Sequence, residues 1–256
     1  MSRETIAFAD AGALAEGASS RAVEKISEAL SRRETALIIL SGGSTPRGTY
    51  SLLARQIRET KIPVGKLRWL LGDERWVPVT ALQSNEAMAR ETLLGPIGAP
   101  ESTVFSWRAG VGDPVECAQR YAERIREVTE AGDPDVVFLG LGADGHTASL
   151  FPDGVAHISA HDSVPVGPRI PVVAAAVTSL SAGGWRLTLC PRLLDRGTTV
   201  MFLVSGVEKA RALRRARSGD SGTPAAWITG KTTLYLVTRN ALGPETGDFG
   251  KDIRHA

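Results

Sequence analysis

The sequence predicts an α/β protein built on a mostly parallel, doubly wound sheet with helices on both faces. Short unbroken apolar runs such as "ALIIL" (36–40), "DVVFLGL" (135–141) and "TVMFLV" (199–204) have the length of strands buried on both faces. Between such runs lie segments with apolar residues at helical spacing, and strand, helix and strand in succession imply parallel pairing. A chain of 256 residues, 43% hydrophobic and 23% charged, can also bury a substantial core.

Taken in order, residues 11–33 form the first expected helix, because Leu14, Ala18, Val23, Ile26 and Leu30 recur near the helical period. The strand 36–40 follows, then a helix starting near Pro46, then the strand "LRWLL" (67–71). Ser84 is a good N-cap for "NEAMARETLL", with Glu86 placed favourably in the first turn. Asp113 precedes a proline at the first helical position of "PVECAQRYAERIREV", which leads into the strand 135–141. Later strands are expected at 171–177, 185–189, 199–204 and 233–237, with a helix over 207–217. No repeat or low-complexity tract interrupts the chain, so 1–256 reads as one α/β domain with 243–256 as a loosely ordered tail.

A formal net charge of +2 is too small for the clustered cationic surface that nucleic acid or a membrane would require, so neither is an expected partner. Cys117 and Cys190 are the only cysteines, which rules out a disulfide framework and a four-cysteine zinc site. With no signal-like start and no run near the roughly 20 apolar residues of a membrane span, a cytoplasmic location is expected.

Three loops, each after a predicted strand, can carry chemistry. In "SGGSTPRGTY", Gly42 and Gly43 let the backbone turn its N–H groups inward, while Ser44 and Thr45 add hydroxyls at a helix N-terminus, a combination suited to a phosphate. The Gly-Lys-Ser/Thr ending of a nucleotide-triphosphate loop is absent, and the plain alternative is a tight turn with a capped helix. "GDERWVP" places Asp73, Glu74 and Arg75 at the carboxyl edge of the sheet, where open α/β folds bind ligands; a solvated charged turn is the alternative. The third, "LGLGADGHTASLFPDG", contains Gly140, Gly142 and Gly145 in a Gly-x-Gly-x-x-Gly pattern. A dinucleotide site needs a long helix after these glycines and an acid about 20 residues on, and neither is visible. The glycines read instead as hinges around Asp144 and His146, an acid close enough to orient an imidazole for proton transfer. His157 and His161 lack a third ligand and read as surface residues, so no metal is expected.

Together "LSGGSTPRGTYSLLA", "LLGDERWVPVTALQSNEAMARETLL" and "VFLGLGADGHTASLFP" resemble, in order and spacing, the signature segments of the 6-phosphogluconolactonase family. The resemblance runs from about 36 to 217 and implies a Rossmann-like sheet that hydrolyses 6-phosphoglucono-δ-lactone without a cofactor, in the oxidative pentose phosphate pathway. By the same resemblance, Gly42, Gly43, Ser44, Thr45, Arg47, Arg186 and Lys209 face the substrate phosphate, and Asp73, Arg75, Asp144 and His146 surround the lactone. His146 is the expected general base and acid with no covalent intermediate, oriented by either Asp144 or Asp73, and Arg75 faces either the carbonyl oxygen or the phosphate. A small sugar phosphate is the expected partner, met by a monomer or weak homodimer.

Departures from the family pattern occur at Ser181, where a lysine is usual, and at Gln83 and Thr238, where acids are usual. The related glucosamine-6-phosphate deaminases have a glutamate where this chain has Phe151, a residue that carries no proton. A non-catalytic sugar-phosphate sensor is the other alternative; such sensors carry a DNA-binding helix-turn-helix, and only one helix is predicted before Ala36.

Overall fold

The computed structural model describes residues 2–243 and 253–255. Eight strands form a sheet in which every pairing is parallel, in the order β13-β1-β12-β11-β6-β2-β3-β5. These are β1 (Ser2–Phe8), β2 (Ala36–Leu40), β3 (Leu67–Leu71), β5 (Val104–Phe105), β6 (Val136–Gly140), β11 (Thr199–Val204), β12 (Thr232–Thr238) and β13 (Ile253–His255). Every residue of β2 and of β11 is buried, as expected of central strands covered on both faces.

Helices α1 (Ala11–Arg32) and α2 (Ser44–Glu59) pack on each other against this sheet. Asp10 caps α1 by accepting from the Ala13 amide at 2.9 Å. Ser84 caps the short α3 (Asn85–Ala89), which continues as one wide turn over Arg90–Leu94 rather than as a regular helix. Helix α4 (Pro114–Glu130) starts on Asp113 with proline in its first turn, α5 (Pro191–Leu194) is a single turn, and α6 (Ala210–Ser218) follows one turn of tighter helix at Val207–Lys209. Among the described residues, no helix is long and apolar enough to cross a membrane.

A second sheet, absent from the sequence expectation, has five strands in the order β4-β10-β9-β7-β8, all antiparallel. It comprises β4 (Asp73–Arg75), β7 (Val155–His157), β8 (Ser163–Pro165), β9 (Ala174–Thr178) and β10 (Arg186–Leu189). The runs expected at 171–177 and 185–189 are therefore strands, but strands of this second sheet, against which α4 packs. His157 lies in β7 and is half-buried, its Nε2 2.9 Å from Thr178 Oγ1 and its ring over Trp185, so it is no surface residue; His161 is exposed.

Of the segment 243–256 expected as a loose tail, residues 244–252 and 256 lie outside the described residues, and Ile253–His255 pair with β1.

Strand order reverses between β2 and β6: the chain winds from β2 to β3 and β5 in one direction, and from β6 to β11 and β12 in the other. A doubly wound sheet opens a crevice outside the carboxyl ends at such a point. The loops after β2, β3, β6 and β11 meet there.

Candidate active site

The crevice is a cleft of about 300 Å³ lined by the loop 41–46, Asp73, Arg75, Asn85, residues of the loop after β6 and residues 203–209. Its floor is held by Tyr50, whose hydroxyl accepts from the Ser41 amide at 2.8 Å and donates to the Ser41 carbonyl at 2.9 Å. Complete burial pushes the Tyr50 phenol far above its ordinary pKa, so it stays a neutral clamp.

Helix α2 is preceded by Gly43, whose φ of 107° is open to glycine at little cost. No acid occupies the first turn of α2, and Ser44 and Thr45 line the cleft with Lys209. The free amide groups and positive end of a 16-residue helix, together with a lysine, give this end of the cleft the chemistry that suits an anion. Lys209 has its nearest carboxylate, that of Glu208, 3.9 Å away.

The loop after β6 brings His146 to the cleft. Its Nδ1 lies 2.6 Å from Asp144 Oδ1, which also accepts from the His146 main-chain amide at 3.1 Å. This fold-back requires Gly142, since a Cβ there would stand 2.1 Å from the imidazole Nδ1 and 2.5 Å from Asp144 Oδ1. No helix follows the glycines of this loop; turns continue to Gly154, so the geometry is that of a histidine-presenting loop. The His146 side chain is 33% exposed and its ring rests on Phe151, centroids 4.6 Å apart.

Asp73 and Arg75 enter from β4. Asp73 is 8% exposed; Ser149 Oγ donates to its Oδ2 at 2.9 Å and Asn85 Nδ2 to its Oδ1 at 3.2 Å. Burial raises the Asp73 carboxyl above its ordinary pKa, opposed in part by the Arg75 guanidinium. Its neighbour Glu74 points away from the cleft and accepts from the main-chain amides of Arg75, Asn85 and Glu86 and from Ser84 Oγ, which anchors the start of α3. Arg75 donates to the Gln83 carbonyl at 2.6 Å and stands opposite Arg186 in the β4–β10 register.

Gly42, Gly43, Ser44, Thr45, Asp73, Arg75, His146 and Lys209 therefore share one cleft, with Asp144 behind His146. Two residues expected at the phosphate do not line it. Arg47 turns outward to Glu91, its Nη1 2.9 Å from Oε1, because it lies on the exposed side of α2. Arg186, the partner of Arg75 across the β4–β10 ladder, donates to the Ala182 carbonyl at 2.6 Å; burial and the charge of Arg75 lower its pKa. Of the departures, Ser181 bonds Asp153, Gln83 offers only its carbonyl to Arg75, and Thr238 Oγ1 is 3.4 Å from Ser205 Oγ on the cleft wall.

Sequence reasoning missed Asn85, Ser149, Ala148, Ser205 and Glu208. Asn85 follows the N-cap Ser84 and could have been found there; nothing local marks Ser149, whose partner is 76 positions away.

Comparison with known proteins agrees with this fold. Residues 9–236 match the model of the glucosamine-6-phosphate isomerase/6-phosphogluconolactonase family, and the chain belongs to that family. It is 38% identical over 194 residues to the 6-phosphogluconolactonase of Synechocystis sp., covering 74% of each chain. With the 6-phosphogluconolactonase of Mycobacterium leprae it shares 33% identity over 258 residues, covering 96% of this chain and all of the other. The crystal structure of 6-phosphogluconolactonase from Thermotoga maritima superposes with a TM-score of 0.78 at 26% identity, over 92% of this chain and 100% of that one.

Proposed function

We propose that this protein is a lactonase that hydrolyses 6-phosphoglucono-δ-lactone to 6-phosphogluconate. The observation that carries this reading is the hydrogen-bonded Asp144–His146 pair in the same cleft as the Gly42–Thr45 loop and Lys209. One end suits a phosphate and the other a proton transfer, as a phosphorylated lactone requires. The names of the relatives point to the same substrate.

In this reading the phosphate binds the N-terminus of α2 and Lys209, which fixes the remote end of the sugar and turns binding energy into alignment of the lactone carbon. Asp144 holds the Nδ1–H of His146, leaving Nε2 to take a proton from a water that attacks the carbonyl carbon. Arg75 stabilises the developing oxyanion. Collapse of the tetrahedral intermediate breaks the bond from that carbon to the ring oxygen, which takes the proton back from His146 and leaves as a hydroxyl. The product keeps both oxygens as a carboxylate, its acid proton passing to solvent. No group of the protein becomes covalently attached. The two carboxyl-bearing loops have separate duties, since Asp144 contacts the imidazole while Asp73 is engaged by Asn85 and Ser149.

The deaminase reading is disfavoured by Phe151, a 7% exposed ring against His146 where that chemistry calls for a carboxylate. The test is the rate of lactone loss, coupled to oxidation of the acid product and compared with spontaneous hydrolysis. The chain should accelerate it strongly, and His146→Ala should reduce kcat by on the order of 10²–10⁴. Wild-type turnover at the spontaneous rate would leave a sugar-phosphate-binding protein, and full turnover by His146→Ala would remove the imidazole from the mechanism.

A further inference from the structure

The loops that leave β3 and β6 are joined by a buried polar chain that packs against the loop after β2 at Gly42. Asn85, only 2% exposed at the start of α3, donates Nδ2 to the Asp73 carbonyl at 2.9 Å and to Asp73 Oδ1 at 3.2 Å. Its other amide atom, Oδ1, has no hydrogen-bond partner among the described residues and abuts Gly42 so closely that a Cβ there would lie 1.8 Å away. On the far side, Asp73 Oδ2 accepts from the hydroxyl of Ser149, 1% exposed and in the same loop as His146.

Hydrogen bonds thus run from Asn85 through Asp73 and Ser149 to the imidazole loop, and van der Waals contact of Asn85 with Gly42 brings the loop after β2 against their near end. Both features at these ends carry a cost. A buried acceptor without a donor is unfavourable, and Ala148, beside Ser149, adopts φ 48°, a left-handed conformation that a residue with a Cβ holds only when its surroundings impose it. Beside the bond from the Ser149 amide to Thr188 Oγ1 at 3.3 Å, the surroundings include two flanking bonds from side-chain hydroxyls, Thr147 Oγ1 to the Gly140 carbonyl at 2.8 Å and Ser149 Oγ to Asp73 at 2.9 Å. Neither bond serves regular secondary structure. Both fix where the loop carries His146.

We propose that Asn85 and Ser149 are positioning residues, and that the Asn85–Asp73–Ser149 chain sets the separation between the anion loop and the imidazole so that a seated phosphate aligns the lactone with His146. The proposal rests on the lactonase reading above. It assigns Asp73 the duty of a tie between loops, held by donors on both carboxylate oxygens.

The experiment measures kcat/KM for the phosphorylated lactone and for unphosphorylated glucono-δ-lactone in the wild type, Asn85→Ala, Ser149→Ala and the double variant, each corrected for spontaneous hydrolysis. Misplacing a catalytic group by about 1 Å can cost about 10²-fold, so each single variant should lower the preference for the phosphorylated lactone by about 10-fold or more. The double variant should lose no more than the worse single one, because one chain is broken only once. Proportional loss on both lactones, or losses that multiply in the double variant, would show residues that merely support the fold and overturn the proposal. Thermal melts identify folded variants; should Asn85→Ala not fold, Ser149→Ala and Asn85→Leu, which nearly keeps the volume and removes the donor without adding a charge, decide on the same ratio. A wild type without lactonase activity defeats the functional reading itself, whereas an active wild type with unaltered ratios in the variants defeats this proposal alone.

Discussion

Asp73 carries a cost that pH can reveal. Its burial lifts the folded-state pKa above the unfolded value of about 3.9, so the folded protein holds a proton that the unfolded chain releases first. The protonated form therefore supports the fold below about pH 3.9, and that support is lost as pH rises through the folded pKa. Asp73→Asn should melt above the wild type at pH 8, with the gap closing toward pH 3. A lower melting temperature for Asp73→Asn at pH 8 would mean that its bonds from Asn85 and Ser149 outweigh burial. Legibility at this scale follows sequence distance. The Asp144–His146 contact was readable because it is local, and the place of Gly42 to Thr45 in the cleft because they follow a strand directly at the head of a helix. Asn85 and Ser149 were not, since their meaning comes from Asp73 across the fold. Arg47 and Arg186 misled for the same reason: sequence shows a cation but not the Glu91 carboxylate or the Ala182 carbonyl that turns it aside.

Elements were legible in proportion to their length and caps. Asp113 Oδ1 accepts from the amides of Val115 and Glu116, both at 2.9 Å, and with Pro114 makes the start of α4 explicit in the sequence. Asp113→Ala should cost about 1 kcal/mol in denaturant unfolding and leave lactone turnover intact, since α4 contributes nothing to the cleft. An unchanged unfolding midpoint would show that packing alone starts this helix. The second sheet was hidden because β4, β7 and β8 have three residues each, too short for alternation to register, and the three successive charges of β4 read as a loop at the sheet edge. Strand β1 escaped because "SRETIAF" begins polar and becomes buried only in its last four residues.

For the molecule as a whole, the cleft sits where loops from opposite windings of the sheet converge, so a ligand there ties the two halves of the sheet together. A ligand that binds only the folded state at about 100 times its Kd adds about 2.7 kcal/mol. 6-Phosphogluconate at that excess should raise the melting temperature by roughly 5–10 °C, and Lys209→Ala should shrink the rise at the same concentration. An equal rise in Lys209→Ala would place the phosphate elsewhere. The order of the large sheet also dictates how the chain matures. Strand β1 lies between β12 and β13, contributed by residues 232–238 and 253–255. A ribosome making this chain releases β1 long before its hydrogen-bonding neighbours, so the strand waits with unsatisfied edges while the intervening residues are synthesised. Closure of the sheet is thus a late, long-range event, and the interval before it is when a chaperone has most to protect.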